Sequence, residues 1–201
     1  MSWTVTADKV LSRDEILTVI TDLKRKSLRS DQTKANLILF RLSTCCGLRV
    51  SELTGLTLDN VRVASKRPSL YVPATVAKNG RARTVPLTFD QGTLDDLVSW
   101  KAHRESQGAN GGSLFLCTRG GGQIDRRNAR KRFKAACRVL GKERVETLTI
   151  HHGRHSFISH ALHSGRNVVA VRDAAGHSSL AVTSIYAHVV TDDETVGNLF
   201  G

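Results

Sequence analysis

The chain has 201 residues, 40% of them apolar, with a formal charge of +12 and a sequence pI near 10.1. That length allows one domain with a full core, and the apolar content argues against disorder. The charge points to a polyanionic partner, nucleic acid before membrane. The opening "MSWTVTADKV" lacks the apolar stretch of a secretory signal, and no run of 18 apolar residues is available to span a membrane. Cys45, Cys46, Cys117 and Cys137 lie in apolar runs without metal-ligand spacing, so buried, reduced thiols and a cytoplasmic location are expected.

In chain order, "LSRDEILTVITDLKRK" opens with Ser12 as N-cap and Glu15 three residues on, a capping box. Ile16, Ile20 and Leu23 then recur at helical spacing. Ser30 and Asp31 start a second, more central helix that Gly47 ends, and "VSELTGL" reads as a short helix. "VRVAS", "SLYVPA" and "RTVPLT" are β-like runs. Asn79-Gly80 between the last two predicts a type I′ hairpin turn with Lys78 at its tip, beside Arg81 and Arg83. "FDQGTLDDLVSWKAHRES" reads as a helix. Glycine-rich loops bracket "LFLC", and Asp125 caps the basic helix "RRNARKRFKAACRVL", whose charge suits either a solvated face or phosphate contact. Thr149 caps a helix from about Ile150 to Ser164. Another helix ends at Gly176, and a last one from about Ser179 carries Tyr186.

Most of the chain's eight histidines crowd into "HHGRHSFISHALHSGRNVVAVRDAAGHSSLAVTSIYAHV". A zinc site, a phosphate-handling site and a helical core can each leave such a trace. Zinc fits poorly. His151 and His155 share a helix face, but His152 stands where a metalloprotease carries its glutamate, and Arg154 lies between the two ligands. Phosphate fits better, because His151 and Arg154 share one face in the first turn of a helix, an end that favours anions. Together with His177 after a helix-ending glycine, Tyr186, Arg49 and Lys78, they supply a nucleophile, cations and a proton donor. Phosphoryl transfer needs those parts.

"CCGLRVSEL", "AKNGRARTVPL", "HHGRHSF", "AAGHSS" and "SIYAHV" resemble, in order and approximate spacing, the catalytic domain of tyrosine recombinases, the integrase family of phage and bacteria. The resemblance spans about Leu11 to Val189. It implies an α+β fold, mainly helical, with a small antiparallel β-sheet. It matches Arg49 to the first catalytic arginine, Glu52 to the acidic residue that supports it, and Lys78 to the hairpin lysine. His151 and Arg154 match the H-x-x-R pair, His177 the second histidine, and Tyr186 the nucleophile.

The implied chemistry is cleavage and rejoining of DNA through a 3′-phosphotyrosyl intermediate, without cofactor or metal. In it His151 accepts the phenol proton, Lys78 protonates the leaving 5′-oxygen, and Glu52 holds a cation in place. The implied partners are double-stranded DNA and further copies of the chain, a tetramer in the family's usual assembly. A type IB topoisomerase activity and a DNA-binding remnant that no longer recombines are the alternatives.

Departures from the family pattern carry expectations too. Gly153 replaces a leucine, at a helix cost of about 1 kcal/mol relative to alanine, so a less rigid turn around Arg154 is expected. Ala174-Ala175 replaces a leucine pair, shrinking the packing around His177. The domain-opening motif "LSRDEI" begins near the start of the sequence, so residues 1–201 read as a single catalytic domain without the family's N-terminal DNA-binding domain. An additional DNA-binding protein is an expected substitute. The tail "VVTDDETVGNLFG" suits packing on a neighbour or back onto its own chain.

Overall fold

A computed structural model describes residues 5–87 and 90–189; all but the first residue of the tail lies outside them. Helices α1 (Arg13–Ser27), α2 (Asp31–Thr44) and α3 (Val50–Gly55) come first. Strands β1 (Val61–Arg62), β2 (Ser69–Val72) and β3 (Arg83–Pro86) follow, and then α4 (Gln91–Ser106) and α5 (Arg126–Ala136). The remaining helices are α6 (Lys142–Thr147), α7 (Ile150–His163), α8 (Val168–Ala175) and α9 (Leu180–Ser184). No helix among the described residues is long and apolar enough to cross a membrane.

The capping signals at Ser12, Ser30 and Asp125 act as the sequence predicts, while Thr149 takes the N-cap place of α7 without a side-chain cap bond. The Ser12 hydroxyl accepts from the Glu15 amide at 3.1 Å, and the Glu15 carboxylate accepts from the Ser12 amide at 2.9 Å. Ile16, Val19, Ile20 and Leu23 put one face of α1 into the core. Helix α2 is buried along its whole second half and forms the centre, touching α1, α4, α5 and α7. Phe40 of α2 stacks on Phe133 of α5, ring centroids 5.7 Å apart. Arg41 of α2 is buried too. It stays charged by pairing with Asp90 and Asp96 at 2.9 and 2.8 Å, tying α2 to the start of α4. All four cysteines are free thiols; three are buried and Cys117 is half-buried.

The sheet is antiparallel in the order β1-β2-β3, with Leu70 opposite Val85 and Tyr71 opposite Thr84. The expected type I′ turn is absent. That turn needs positive φ at both central residues, and here only Gly80 has it, at 64°. Residues 73–82 form a longer loop, in which the Gly80 amide donates to the Ala77 carbonyl at 3.0 Å. Pro73 cannot continue the ladder as a donor, and its carbonyl instead accepts from the amides of Val76 and Ala77. Lys78 keeps its expected place at the tip and is exposed.

Helix α6 was not legible as a separate element. The last helix is also shorter than expected: α9 ends at Ser184, and Tyr186 sits in a tighter 3-10 turn, Ile185–His188.

Gly153 has a packing reason besides its helix cost: it stands where α7 meets α2. A Cβ there would lie 2.8 Å from the Thr44 hydroxyl, 2.9 Å from the Ser43 hydroxyl and 3.2 Å from Ser43 Cβ. The glycine lets α7 press against α2, and Arg154 beside it is held firmly.

Candidate active site

The site gathers where α3, the loop before it, β3, α7 and the α8–α9 corner meet. Arg49 is the N-cap of α3. Three residues on, Glu52 reaches back to accept the Arg49 amide at 2.8 Å. The same carboxylate is fully buried and also accepts from the Arg49 guanidinium at 3.2 Å. Its strongest partner is Arg83 of β3, whose two terminal nitrogens donate to the two oxygens at 2.7 and 2.8 Å. Burial, the largest single influence, would raise the Glu52 pKa, but the Arg83 fork, the Arg49 amide and the charge of Arg154 together hold the carboxyl below its ordinary range.

The C-terminal end of α8 organises the arginines. Arg83 Nε donates to the Ala174 carbonyl at 2.8 Å, and Arg154 donates to Ala175 at 2.5 Å. Arg49 donates to Ala175 at 3.4 Å and to Gly176 at 3.1 Å. These are helix-end carbonyls that lack an intrahelical partner, at the negative end of the helix dipole. Arg154 also donates to the Gly47 carbonyl at 2.6 Å. Burial, then repulsion from Arg49, pulls the Arg154 pKa down to about 9, which still leaves it charged at neutral pH. Gly176 takes φ of +65°, and a Cβ there would crowd Arg83 at 3.0 Å, so this glycine fixes both the corner and the arginine packed on it.

Tyr186 is only 2% exposed. Its hydroxyl pairs with His155 Nδ1 at 2.8 Å. Its ring packs against two imidazoles, with centroids 5.6 Å from His155 and 6.0 Å from His177. Burial raises the phenol pKa to about 12, opposed by the charges of Arg154 and Arg49, so both guanidiniums act on the phenol. His177 Nδ1 bonds Thr183 Oγ1 at 2.9 Å. Burial, then Arg154 and Arg49, drops the His177 pKa to about 3, so its ring is neutral.

The structure therefore brings Arg49, Glu52, Arg154, His177 and Tyr186 together. His151 and Lys78 stand exposed at the rim. Partial burial of the His151 ring, then the charges of Arg130, Arg154, Lys78 and Arg49, lowers its pKa, so this otherwise exposed residue faces the same group of cations. Sequence reasoning missed two participants. Arg83 was seen only as a neighbour of Lys78, and His155 only as half of a zinc pair. The available signal was the i, i+4 spacing of His151 and His155, which placed both on one face. Among the described residues no group of three or more His, Cys, Asp or Glu side chains could hold a metal ion.

A family model described as the phage integrase family matches residues 9–192. The chain belongs to the phage integrase family. Among curated relatives, the tyrosine recombinase XerC of Pseudomonas putida strain F1 is 33% identical over 182 residues, covering 90% of this chain and 56% of the relative. The XerC of Mycobacterium tuberculosis strain H37Ra is 29% identical, covering 92% of this chain and 60% of the relative. This integrase-family chain thus spans little more than half the length of the curated relatives it matches. Among solved structures, the XerA recombinase aligns with a TM-score of 0.72 at 21% identity, over 91% of this chain and 59% of that one. A lambda integrase dimer bound to a COC′ core site aligns with a TM-score of 0.62 at 15% identity, over 96% of this chain and 63% of that one. At those identities the likeness is one of fold: a mainly helical domain with a small three-stranded antiparallel sheet.

Proposed function

We propose that this integrase-family chain cleaves one strand of double-stranded DNA and rejoins it, as a step of site-specific recombination. Tyr186 attacks a phosphodiester, forming a 3′-phosphotyrosyl link and releasing a 5′-hydroxyl. The observation that carries the reading is the placement of the Tyr186 phenol, ringed by His155 and His177 and within the field of Arg49 and Arg154.

Each residue takes a role that fits its setting. Arg49 and Arg154 hold the non-bridging oxygens and offset the charge that grows in the transition state, a task suited to a planar guanidinium fork. Both are pre-positioned by the α8 carbonyls, so little reorganisation is needed when phosphate arrives. Glu52 and Arg83 brace Arg49. His177, neutral and turned by Thr183, adds a hydrogen bond to the phosphate. His151, at the rim among the cations, lies on the phosphate side as well. Lys78, on its exposed loop, reaches the leaving 5′-oxygen and protonates it. No cofactor or metal has a part in this scheme.

The link keeps the energy of the broken bond, so attack by the 5′-hydroxyl restores the strand. Recombination would use several copies of the chain, a tetramer on two duplexes, and an additional DNA-binding protein or segment to clamp the duplex.

The test is incubation with nicked duplex DNA, followed by denaturing electrophoresis. A covalent protein–DNA adduct, formed without added metal or ATP and leaving a 5′-hydroxyl, supports the proposal. Binding without an adduct would instead support the DNA-binding remnant. Relaxation of supercoils without exchange between duplexes would support the topoisomerase.

A further inference from the structure

We propose that His155, and not His151, takes the proton of Tyr186 as the phenol attacks phosphate. The inference rests on the function proposed above and assigns one more catalytic residue to it.

A base must touch the atom it deprotonates, at about 2.6–3.2 Å. His155 Nδ1 does so, at 2.8 Å from the Tyr186 hydroxyl. His155 is half-buried on α7, directly after Arg154 and one turn beyond His151. Tyr186 is almost sealed from solvent, so bulk water is a poor acceptor for its proton. His151 is exposed and surrounded by Arg130, Arg154, Lys78 and Arg49, the setting of a group that meets phosphate. His177, whose ring centroid is 6.0 Å from that of the phenol, has its Nδ1 committed to Thr183.

Among the described residues, the charged and titratable groups around His155 include His151, His152 and Arg154 on its own helix, Lys9 from the N-terminal 3-10 turn, and His177 beside the same phenol. Burial, then His152, His151, Arg154 and Lys9, lowers its pKa to about 4. The ring is therefore neutral at physiological pH, and in the tautomer that carries its proton on Nε2 the Nδ1 lone pair accepts from the phenol. A phosphodiester held by Arg49 and Arg154 brings negative charge beside this cationic group. Its arrival makes the imidazole more basic at the stage when a base is needed.

The step balances. The Tyr186 O–H proton passes to His155 Nδ1, the phenol oxygen bonds to phosphorus, and the bond from phosphorus to the 5′-oxygen breaks. The leaving oxygen takes a proton from Lys78. In rejoining, the 5′-hydroxyl attacks phosphorus and returns a proton to Lys78, and the departing phenolate recovers its proton from the His155 imidazolium.

The experiment is single-turnover cleavage by this chain of a randomised pool of nicked duplexes, with Tyr186 either natural or replaced by a ring-fluorinated tyrosine of lower phenol pKa. His155→Ala should cleave about 10²–10⁴-fold more slowly than the unaltered chain with natural tyrosine. With the fluorinated phenol, a stronger acid that needs less help from a base, the deficit should shrink to about tenfold or less. His151→Ala should keep its deficit with either phenol. If His155→Ala fails to fold, as judged by its melting curve, His155→Asn carries the same comparison. Cleavage by the His155 variants at the unaltered rate, or a deficit that the fluorinated phenol leaves in place, would overturn the inference. Rescue of His151→Ala alone would give the role to His151. No adduct from the unaltered chain would overturn the proposed function itself, a separate and recognisable result.

Discussion

Glu52 and Arg83, 31 residues apart in sequence, form a two-pronged ion pair at 2.7 and 2.8 Å in which the carboxylate is fully buried. Through it the sheet grips the start of α3, and the same carboxylate caps α3 and steadies Arg49. Removing one partner strands the other charge in the interior. Glu52→Ala should cost about 3–5 kcal/mol, a fall in Tm of roughly 6–20 °C for a domain of this size. Glu52→Gln, which keeps an acceptor for the Arg49 amide, should cost less. Calorimetry checks both, and a Glu52→Ala protein that melts with the parent would show that the pair contributes little.

Gly153→Ala tests the contact between α7 and α2. Helix propensity favours alanine by about 1 kcal/mol, while crowding in a packed core costs about 1–3 kcal/mol. The three close contacts with Ser43 and Thr44 predict that crowding wins and the variant is less stable in urea. A gain in stability would mean that the glycine is only a weak point in the helix.

Acid should loosen the fold before most carboxylates titrate. Folded, His155 and His177 have pKa values of about 4 and about 3, against an ordinary 6.5, chiefly because both are buried. Between those values the unfolded chain binds more protons, so stability rises with pH across the window. Their contribution is complete above about 6.5 and drains away as pH falls toward the folded values. His151 and His152, also lowered, act in the same sense. Glu52, held below its ordinary 4.5, adds its loss only below that value. Urea midpoints should therefore drop between pH 6.5 and 4.5, and His177→Asn should flatten the drop. Equal midpoints at pH 7 and pH 5 would contradict the buried, neutral state of these imidazoles.

Much of this was legible in the sequence because it is local. Ser12 with Glu15 fixes one helix start, Asp125 another, and Gly176 the α8 corner. Each works through neighbours a few residues away. What stayed hidden depends on long-range approach. Nothing local says that Arg83, Arg49 and Arg154 converge on the carbonyls of Ala174, Ala175 and Gly176, at separations of 91, up to 127, and 21 residues. The pairing of His155 with Tyr186, 31 residues on, is of the same kind. Asn79-Gly80 misled for a local reason. A turn of another kind forms there, closed by the Gly80 amide on the Ala77 carbonyl, and with β2 ending at Val72 before Pro73 it tips a long loop in place of a two-residue hairpin.

Lys78 as the proton donor to the leaving group can be isolated by replacing the scissile 5′-oxygen with sulfur. A thiol has a pKa of about 8.5, against about 15.7 for water, so a thiolate leaves without help. Lys78→Ala should be slow on ordinary DNA and recover most cleavage on the sulfur substrate. Arg49→Ala and Arg154→Ala should stay defective on both, since their work is on the non-bridging oxygens. Sulfur rescue of Arg83→Ala in place of Lys78→Ala would move the acid to Arg83.

The most direct measurement is the identity of the residue that carries the DNA. Residues 173–201 contain no Lys or Arg, so trypsin releases Tyr186 on one peptide beginning at Asp173, while Tyr71 leaves on another, residues 67–78. After reaction with nicked duplex, nuclease trimming and trypsin, mass spectrometry should find the nucleotide remnant on the Asp173 peptide, at Tyr186. The remnant should vanish in Tyr186→Phe. A remnant on Tyr71 or on a serine, or an adduct that survives in Tyr186→Phe, would contradict the account.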